Sequence, residues 1–239
     1  MVDFHSHVLP AIDDGSRNVE ESIALLKELA KQGVKTVVAT PHFYANRHSV
    51  NRFLEKRQQA YEELITENKE DLPKILLGAE VRYYEGISQM ANIESLCIEG
   101  TKLLLLEMPF SRWTDYVLRE VLHLASSGKV TVIIAHVERY LPYQEWGVWG
   151  LLTDNGAILQ ANANFFLKFT TRKKAIKLLK ERYIKILGSD CHNLDERPPL
   201  IGNAIAYIEK KAGQECYESL IARSRKLIGI TANHNNERG

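Results

Sequence analysis

The sequence is poor in three things that would point away from an ordinary soluble enzyme. Its three cysteines, Cys97, Cys191 and Cys216, are odd in number and widely spaced, with no C-x-x-C pair. That excludes a disulfide framework and predicts a reducing compartment. It has no apolar run approaching membrane-spanning length and no basic segment followed by an apolar one at its start, so the expectation is a cytoplasmic protein, neither exported nor integral to a membrane. It also lacks a charge imbalance: 31 Lys and Arg face 30 Asp and Glu, a formal charge of +1. With no stripe of aromatic and basic residues either, a nucleic-acid partner is not expected, and any electrostatic function must be local.

What the chain does have is alternation. Short apolar runs fall at 2 to 5, 35 to 40, 74 to 79, 102 to 106, 130 to 135, 157 to 161 and 183 to 187. Between them lie amphipathic helical patterns. The first is the clearest: Asn18 can cap it with Glu21 three residues on, Val19, Ile23, Leu26 and Ala30 mark one face, and Gly33 ends it. Further helices are expected over 50 to 68, 115 to 127 and 172 to 182, with two more within 198 to 222 that break near Gly213. Seven near-continuous apolar strands alternating with helices predict a parallel sheet covered by helices, and 239 residues suit one barrel domain, expected over 1 to 230 with a polar tail from 231 to 239.

Each apolar run is followed by a group able to bind a metal or an anion. In order these are His5 and His7, His42, Glu80, Glu107, His136 with Arg139, Asn162, and Asp190 with His192. Residues two apart on a strand share a face, so His5 and His7 can aim at one point. Singly, each has an ordinary explanation: His136 could be a satisfied core histidine, Glu107 could pair with a lysine, and Asp190 could belong to a turn. Seven such coincidences are harder to accept, because the C-terminal ends of barrel strands meet at one rim.

On the motifs D-F-H-S-H-V-L-P-A-I-D-D-G, A-T-P-H, G-A-E-V, A-H-V-E-R-Y and S-D-C-H-N-L-D-E-R-P-P, the chain resembles the polymerase and histidinol phosphatase (PHP) superfamily. Within it the chain is similar to the manganese-dependent protein tyrosine phosphatases of bacterial capsular and exopolysaccharide operons, the CpsB, CapC and YwqE type. The resemblance covers nearly the whole chain. It implies a distorted (β/α)7 barrel with three divalent ions: His5, His7 and Asp190 on one, Glu80 bridging to a second held by Glu107 and His136, and Asp14, His42 and His192 on a third. Arg139 and Arg197 would bind the phosphoryl group, Asn162 would lie just outside the ligands, and the segment from 43 to 51 has no assigned role.

The chemistry agrees with that assignment. Four carboxylates gathered without counter-charge would take up protons, and divalent cations resolve the repulsion. Imidazole and carboxylate without thiolate suits Mn²⁺, the family's metal, and also Fe²⁺ or Zn²⁺. A water bridging two such ions has its pKa lowered from ~15.7 towards ~7, which supplies hydroxide without a protein nucleophile. Cys191 is read as structural, since the five residues between it and Arg197 contain no glycine to form a phosphate-cradling loop.

The expected reaction is hydrolysis of phosphotyrosine, with the tyrosine-rich tail of a bacterial kinase of polysaccharide export as the partner the resemblance implies. Three alternatives stand beside it: a small-molecule phosphomonoesterase acting on a substrate such as histidinol phosphate, a 3′ to 5′ exonuclease, and a non-catalytic metal-binding module. An amidohydrolase with a carbamylated lysine would want Lys where the chain has Glu107.

Overall fold

The computed structural model describes residues 1–67 and 72–229, so the expected polar tail, 231 to 239, lies outside the described residues. All seven expected strands form, two of them each interrupted once. They are β1 (Val2–Ser6), β2 (Thr36–Ala39) continued by β3 (His42–Phe43), β4 (Lys74–Leu77) continued by β5 (Glu80–Arg82), β6 (Leu103–Glu107), β7 (Thr131–Ile134), β8 (Ile158–Asn162) and β9 (Ile184–Gly188). Every pairing is parallel, in the orders β1-β2-β4 and β3-β5-β6-β7-β8-β9.

The two sheets are halves of one ring. The breaks at 40–41 and 78–79 keep the ladder, because Gly78 N donates to Ala39 O at 2.8 Å and Glu80 N to Pro41 O at 3.0 Å. At the other seam Asp190 N donates to His5 O at 2.7 Å and His7 N to Cys191 O at 2.9 Å, with a single parallel bridge between Ser6 and Cys191. The last strand therefore meets the first only at the rim, which is what distorts this (β/α)7 barrel.

Strand parity explains how the interior is filled. Val2 and Phe4, Val38, Leu76, Leu103 and Leu105, Ile133 and Ala135, Ile158 and Ile186 form one apolar cluster to which all seven runs contribute at alternate positions. Their neighbours in sequence, Val37, Leu77, Leu104, Val132, Leu159 and Leu187, belong instead to the larger cluster shared with the helices. The inner layer is thus a packed plug at one end of the barrel.

The helices are α1 (Val19–Lys31), α2 (Val50–Glu67), α3 (Asp115–Ser126), α4 (Trp146–Asp154), α5 (Ala163–Leu167), α6 (Arg172–Lys180), α7 (Ile201–Ala212) and α8 (Gln214–Leu227). Asn18 caps α1 as its spacing predicts, its side chain accepting from Glu21 N at 2.9 Å. Gly213, at φ 93°, separates α7 from α8 with a backbone that an L side chain rarely adopts. Three helices depart from expectation, the short α5 among them, since no helix is expected over 163 to 167. The glycine-interrupted segment W-G-V-W-G-L-L-T-D hides α4, which is nevertheless anchored by buried Trp149 and Leu152. Helix α8 runs five residues past the expected end at 222 because Leu227, with Ile228 beyond it, packs against the interior cluster.

Candidate metal centre

The same parity that fills the barrel with apolar side chains carries the polar ones inward one layer higher. Leu76 and Glu80 lie four apart, Leu105 and Glu107 two apart, Ile158, Gln160 and Asn162 at successive even positions, and Ile186 and Asp190 four apart. Two runs change phase to join them. On β1 the register jumps from Asp3 opposite Val37 to Ser6 opposite Ala39, a bulge of one residue. It transfers the inward face from Val2 and Phe4 to His5 and His7. After β7, His136 takes a left-handed backbone, φ 31° and ψ 58°, which turns its ring into the centre. Asp190 has φ 53°. Non-glycine residues in this region are uncommon and costly, and both lie at the rim.

Four donor atoms converge most closely. His5 Nε2 is 3.2 Å from His7 Nε2, 3.3 Å from Glu80 Oε2 and 3.5 Å from Asp190 Oδ1, while His7 Nε2 is 3.3 and 3.6 Å from the same two oxygens. Two donors each ~2.1 Å from one cation lie about 3.0 to 3.4 Å apart at octahedral to tetrahedral angles, so this spacing fits a shared ion. Around them, His136 Nε2 is 2.9 Å from Glu80 Oε1 and 3.7 Å from Glu107 Oε1. His42 Nδ1 is 3.0 Å from Glu80 Oε2, and Asp14 Oδ1 is 3.3 Å from His42 Nε2 and 3.5 Å from His192 Nε2.

All nine residues singled out as ligands therefore lie in one cluster. Three groupings within it could each hold a cation: His5, His7 and Asp190; His7, Asp14, His42 and His192; and His42, Glu80 and Glu107. The first is one of the expected sets and the second adds His7 to another, whereas the third joins Glu80 and Glu107 to His42 in place of His136, which lies outside all three and reaches the cluster through Glu80. Buried atoms that find no hydrogen-bond partner, Glu107 Oε2 and His192 Nε2, add to the fit.

Electrostatics follow from the crowding. Burial raises the Glu80 carboxyl, but His5 and the contacts from His136 and His42 outweigh it and hold the group well below the carboxylate range. Glu107 moves the other way, raised by burial and by Glu80 beside it. Burial and the positive charge of His7 and Arg197 push the His192 imidazole down to about 3, so it is a neutral donor.

The two arginines close one side. Arg139 and Arg197 donate to the two oxygens of Asp190, Arg197 at 2.8 Å, and each side chain remains about one-third exposed. Beside them lies a recess of about 280 Å3 whose lining includes Asn162, Phe165 and Lys168. Asn162 Nδ2 donates to Asp190 Oδ2 at 2.8 Å, directly outside the ligand cluster. Cys191 is fully buried next to this site, and burial together with Asp3 drives its thiol up, away from reactivity.

Two positioning groups escape a reading of the sequence. Asp13 contacts His7 Nδ1 at 2.7 Å and accepts from His42 N at 3.0 Å, so one carboxylate sets two of the histidines. Gln160 accepts from His136 N at 2.6 Å, and its Nε2 donates to Asn162 Oδ1 at 2.9 Å. Asp13 had a signal, the doubled acid of I-D-D-G. Gln160, a lone polar residue inside an apolar run, had only its inward parity.

A family model described as capsular polysaccharide synthesis, CpsB/CapC, matches residues 1–228. The tyrosine-protein phosphatase CpsB of Streptococcus pneumoniae is 34% identical over 95% of this chain and 98% of that protein. Tyrosine-protein phosphatase YwqE of Bacillus subtilis (strain 168) is 32% identical over 95% of this chain and 91% of its own length. A crystal structure from work on YwqE and CpsB, described as unique metal-dependent tyrosine phosphatases, superposes with a TM-score of 0.82 at 26% identity, covering 97% of this chain and 95% of the other. A zinc-containing histidinol phosphate phosphatase from Lactococcus lactis shares the fold, with a TM-score of 0.55 at 18% identity over 89% of this chain and 93% of that one.

Proposed function

This chain belongs to the CpsB/CapC family of capsular polysaccharide synthesis, and we propose that it is a metal-dependent protein tyrosine phosphatase. The observation that carries the reading is the convergence of six strand ends and the Asp13–Asp14 loop on Glu80 and Asp190, with two arginines at the same edge. His5, His7, Asp14, His42, Glu80, Glu107, His136, Asp190 and His192 would hold the metal, three divalent ions with Mn²⁺ as the preferred species. Bound there, such cations supply Lewis acidity and ionise water near neutral pH.

The protein's own groups do the rest. Arg139 and Arg197 offer planar forks to the phosphoryl oxygens and stabilise the charge that grows as the ester bond breaks. Asp190 holds both guanidinium groups in place before substrate arrives, which lowers the entropy cost of binding. Asp13 and Gln160 orient the ligand set, and the apolar plug beneath keeps water from reaching the centre except through the rim.

A protein substrate is favoured by the openness of that rim. Asp14 is 63% exposed, and Arg139 and Arg197 are 37% and 36% exposed, so the centre is approached from the surface. The partner is then a phosphotyrosine segment of a bacterial tyrosine kinase of polysaccharide export, met in the cytoplasm by one catalytic domain over 1 to 230. Among the described residues no helix is long and apolar enough to cross a membrane. A panel of phosphotyrosine and phosphoserine peptides, histidinol phosphate and DNA ends, assayed with Mn²⁺, tests the reading. Preference for phosphotyrosine peptides supports it, and preference for any of the others overturns it.

A further inference from the structure

The segment from 43 to 51 and the turns of helix beyond it build a second recess against the metal centre, whose lining includes neither Arg139 nor Arg197. It measures about 380 Å3, shares Asp14 and His42 with the centre, and is walled by Tyr44, Arg47, His48 and Lys56. The turn is shaped locally: Arg47 N and His48 N both donate to Tyr44 O, at 2.9 and 3.2 Å. Tyr44 stacks on His42, ring centroids 5.3 Å apart. Arg47 lies 4.6 Å over the Tyr44 ring, with Arg82 5.9 Å from its centroid. The aromatic ring thus fixes Arg47 beside the centre by a cation–π contact.

The charges in this recess are unequally committed. Asp13, the first of its two acids, is held by His7, and Asp14 faces His42 and His192 with Arg197 3.8 Å from its other oxygen. Arg82 is 3.6 Å from Glu107. Arg47 and Lys56, both exposed, form no ion pair among the described residues. Two uncompensated cations, one of them braced on an aromatic ring, thus line a recess that adjoins the site carrying Arg139 and Arg197.

On the reading that the substrate is a phosphotyrosine segment, we infer that this recess is a subsite for an acidic side chain next to the phosphotyrosine, with Arg47 and Lys56 determining specificity. A carboxylate a residue or more from the phosphotyrosine meets these cations while the phosphoryl group sits at the centre. Because Arg47 and Lys56 line this recess and not the one beside Arg139 and Arg197, the preference is directional. Such rim charges act in binding and encounter more than in the chemical step, so the effect falls on KM and weakens with salt.

The test uses the Mn²⁺-loaded full chain and phosphotyrosine peptides bearing Glu, Gln or Lys on one flank or the other, with p-nitrophenyl phosphate as a small aryl phosphate. For exposed pairs of this kind the expected gain in kcat/KM for Glu over Gln is about three- to tenfold, on one flank only and mainly through KM. In Arg47→Gln/Lys56→Gln the Glu-to-Gln ratio falls to near one; taken within each protein, that ratio does not depend on the amount folded. Wild-type turnover of p-nitrophenyl phosphate and phosphotyrosine peptides without a flank preference, or a preference that persists in the double variant, overturns the inference alone. No turnover of any aryl phosphate overturns the phosphatase reading and the subsite with it.

Discussion

Asp13 Oδ2 lies 2.7 Å from His7 Nδ1, which assigns the proton to Nδ1 and leaves His7 Nε2 to face Glu80 and Asp190. Carboxylates that hold a histidine in this way raise its basicity and fix its ring, and their loss costs ~10- to 100-fold in metal affinity or activity. Asp13→Asn is expected to show that loss in a Mn²⁺ titration of turnover, with activity partly recovered at high metal. An unchanged metal dependence contradicts the role.

The same pair sets a pH signature in metal-stripped protein. Burial would lower the His7 imidazolium, but Asp13 outweighs it and raises the group to about 10, while His7 holds the buried Asp13 carboxyl below its usual range. A raised histidine contributes stability that is complete below its unfolded pKa of ~6.5 and lost as pH climbs through about 10; a depressed aspartate contributes above ~3.9 and loses that on acidification. Thermal melts of chelator-treated wild type and Asp13→Asn should therefore differ most between about pH 4 and 6.5, by roughly 3 kcal/mol for a broken buried pair. A difference that grows as pH rises above about 6.5 contradicts the assignment.

Gly188 ends β9 where a Cβ would stand 2.4 Å from His5 Cβ and 2.8 Å from Gln160 Nε2. Neither neighbour can retreat, since His5 belongs to the centre and Gln160 accepts from His136 N. Gly188→Ala is expected to disturb the β1–β9 seam, costing about 1 to 3 kcal/mol for overpacking and a larger share of activity than of stability. Wild-type turnover in this variant, with a wild-type melt, contradicts the close approach.

Cys191 is buried behind the centre with its thiol pushed up by burial. Cys191→Ser is expected to retain most turnover, and iodoacetamide at neutral pH to leave activity intact, whereas His136→Ala abolishes it. Inactivation by alkylation would point to a thiolate mechanism instead.

Arg139→Lys and Arg197→Lys keep the charge and lose the fork. Each is expected to lower kcat/KM by about 10- to 100-fold, as loss of a charge-assisted hydrogen bond worth ~1.5 to 3 kcal/mol would. Steady-state kinetics on a phosphotyrosine peptide measure it, and unaltered kinetics in both variants remove these arginines from substrate binding.

How much of this was legible in the sequence depends on which physical signal each feature left. All seven strand runs and α1 showed because β-branched runs and a capped amphipathic period are local. Eight of the nine candidate ligand positions were legible because each ends or closely follows an apolar run, at a common rim; Asp14, nine residues past the first run, stood out through the doubled acid of I-D-D-G and the resemblance. Helix α4 was not, since Gly147 and Gly150 dilute its pattern and only packing of Trp149 and Leu152 holds it. The bulge before His5 and the left-handed turn at His136 are properties of backbone register that no single residue announces, and Gln160 acts through a backbone N–H 24 residues away. The role of 43 to 51 was likewise silent, because Arg47 gains its position only from the stacked Tyr44.

The central claim is that cations gathered by these nine side chains make hydrolysis possible. Phosphotyrosine-peptide turnover, measured on chelator-stripped protein before and after stepwise return of Mn²⁺, tests it most directly. The prediction is negligible turnover when stripped and full recovery on metal return, with no recovery in His136→Ala. Full activity in verified metal-free protein would contradict it.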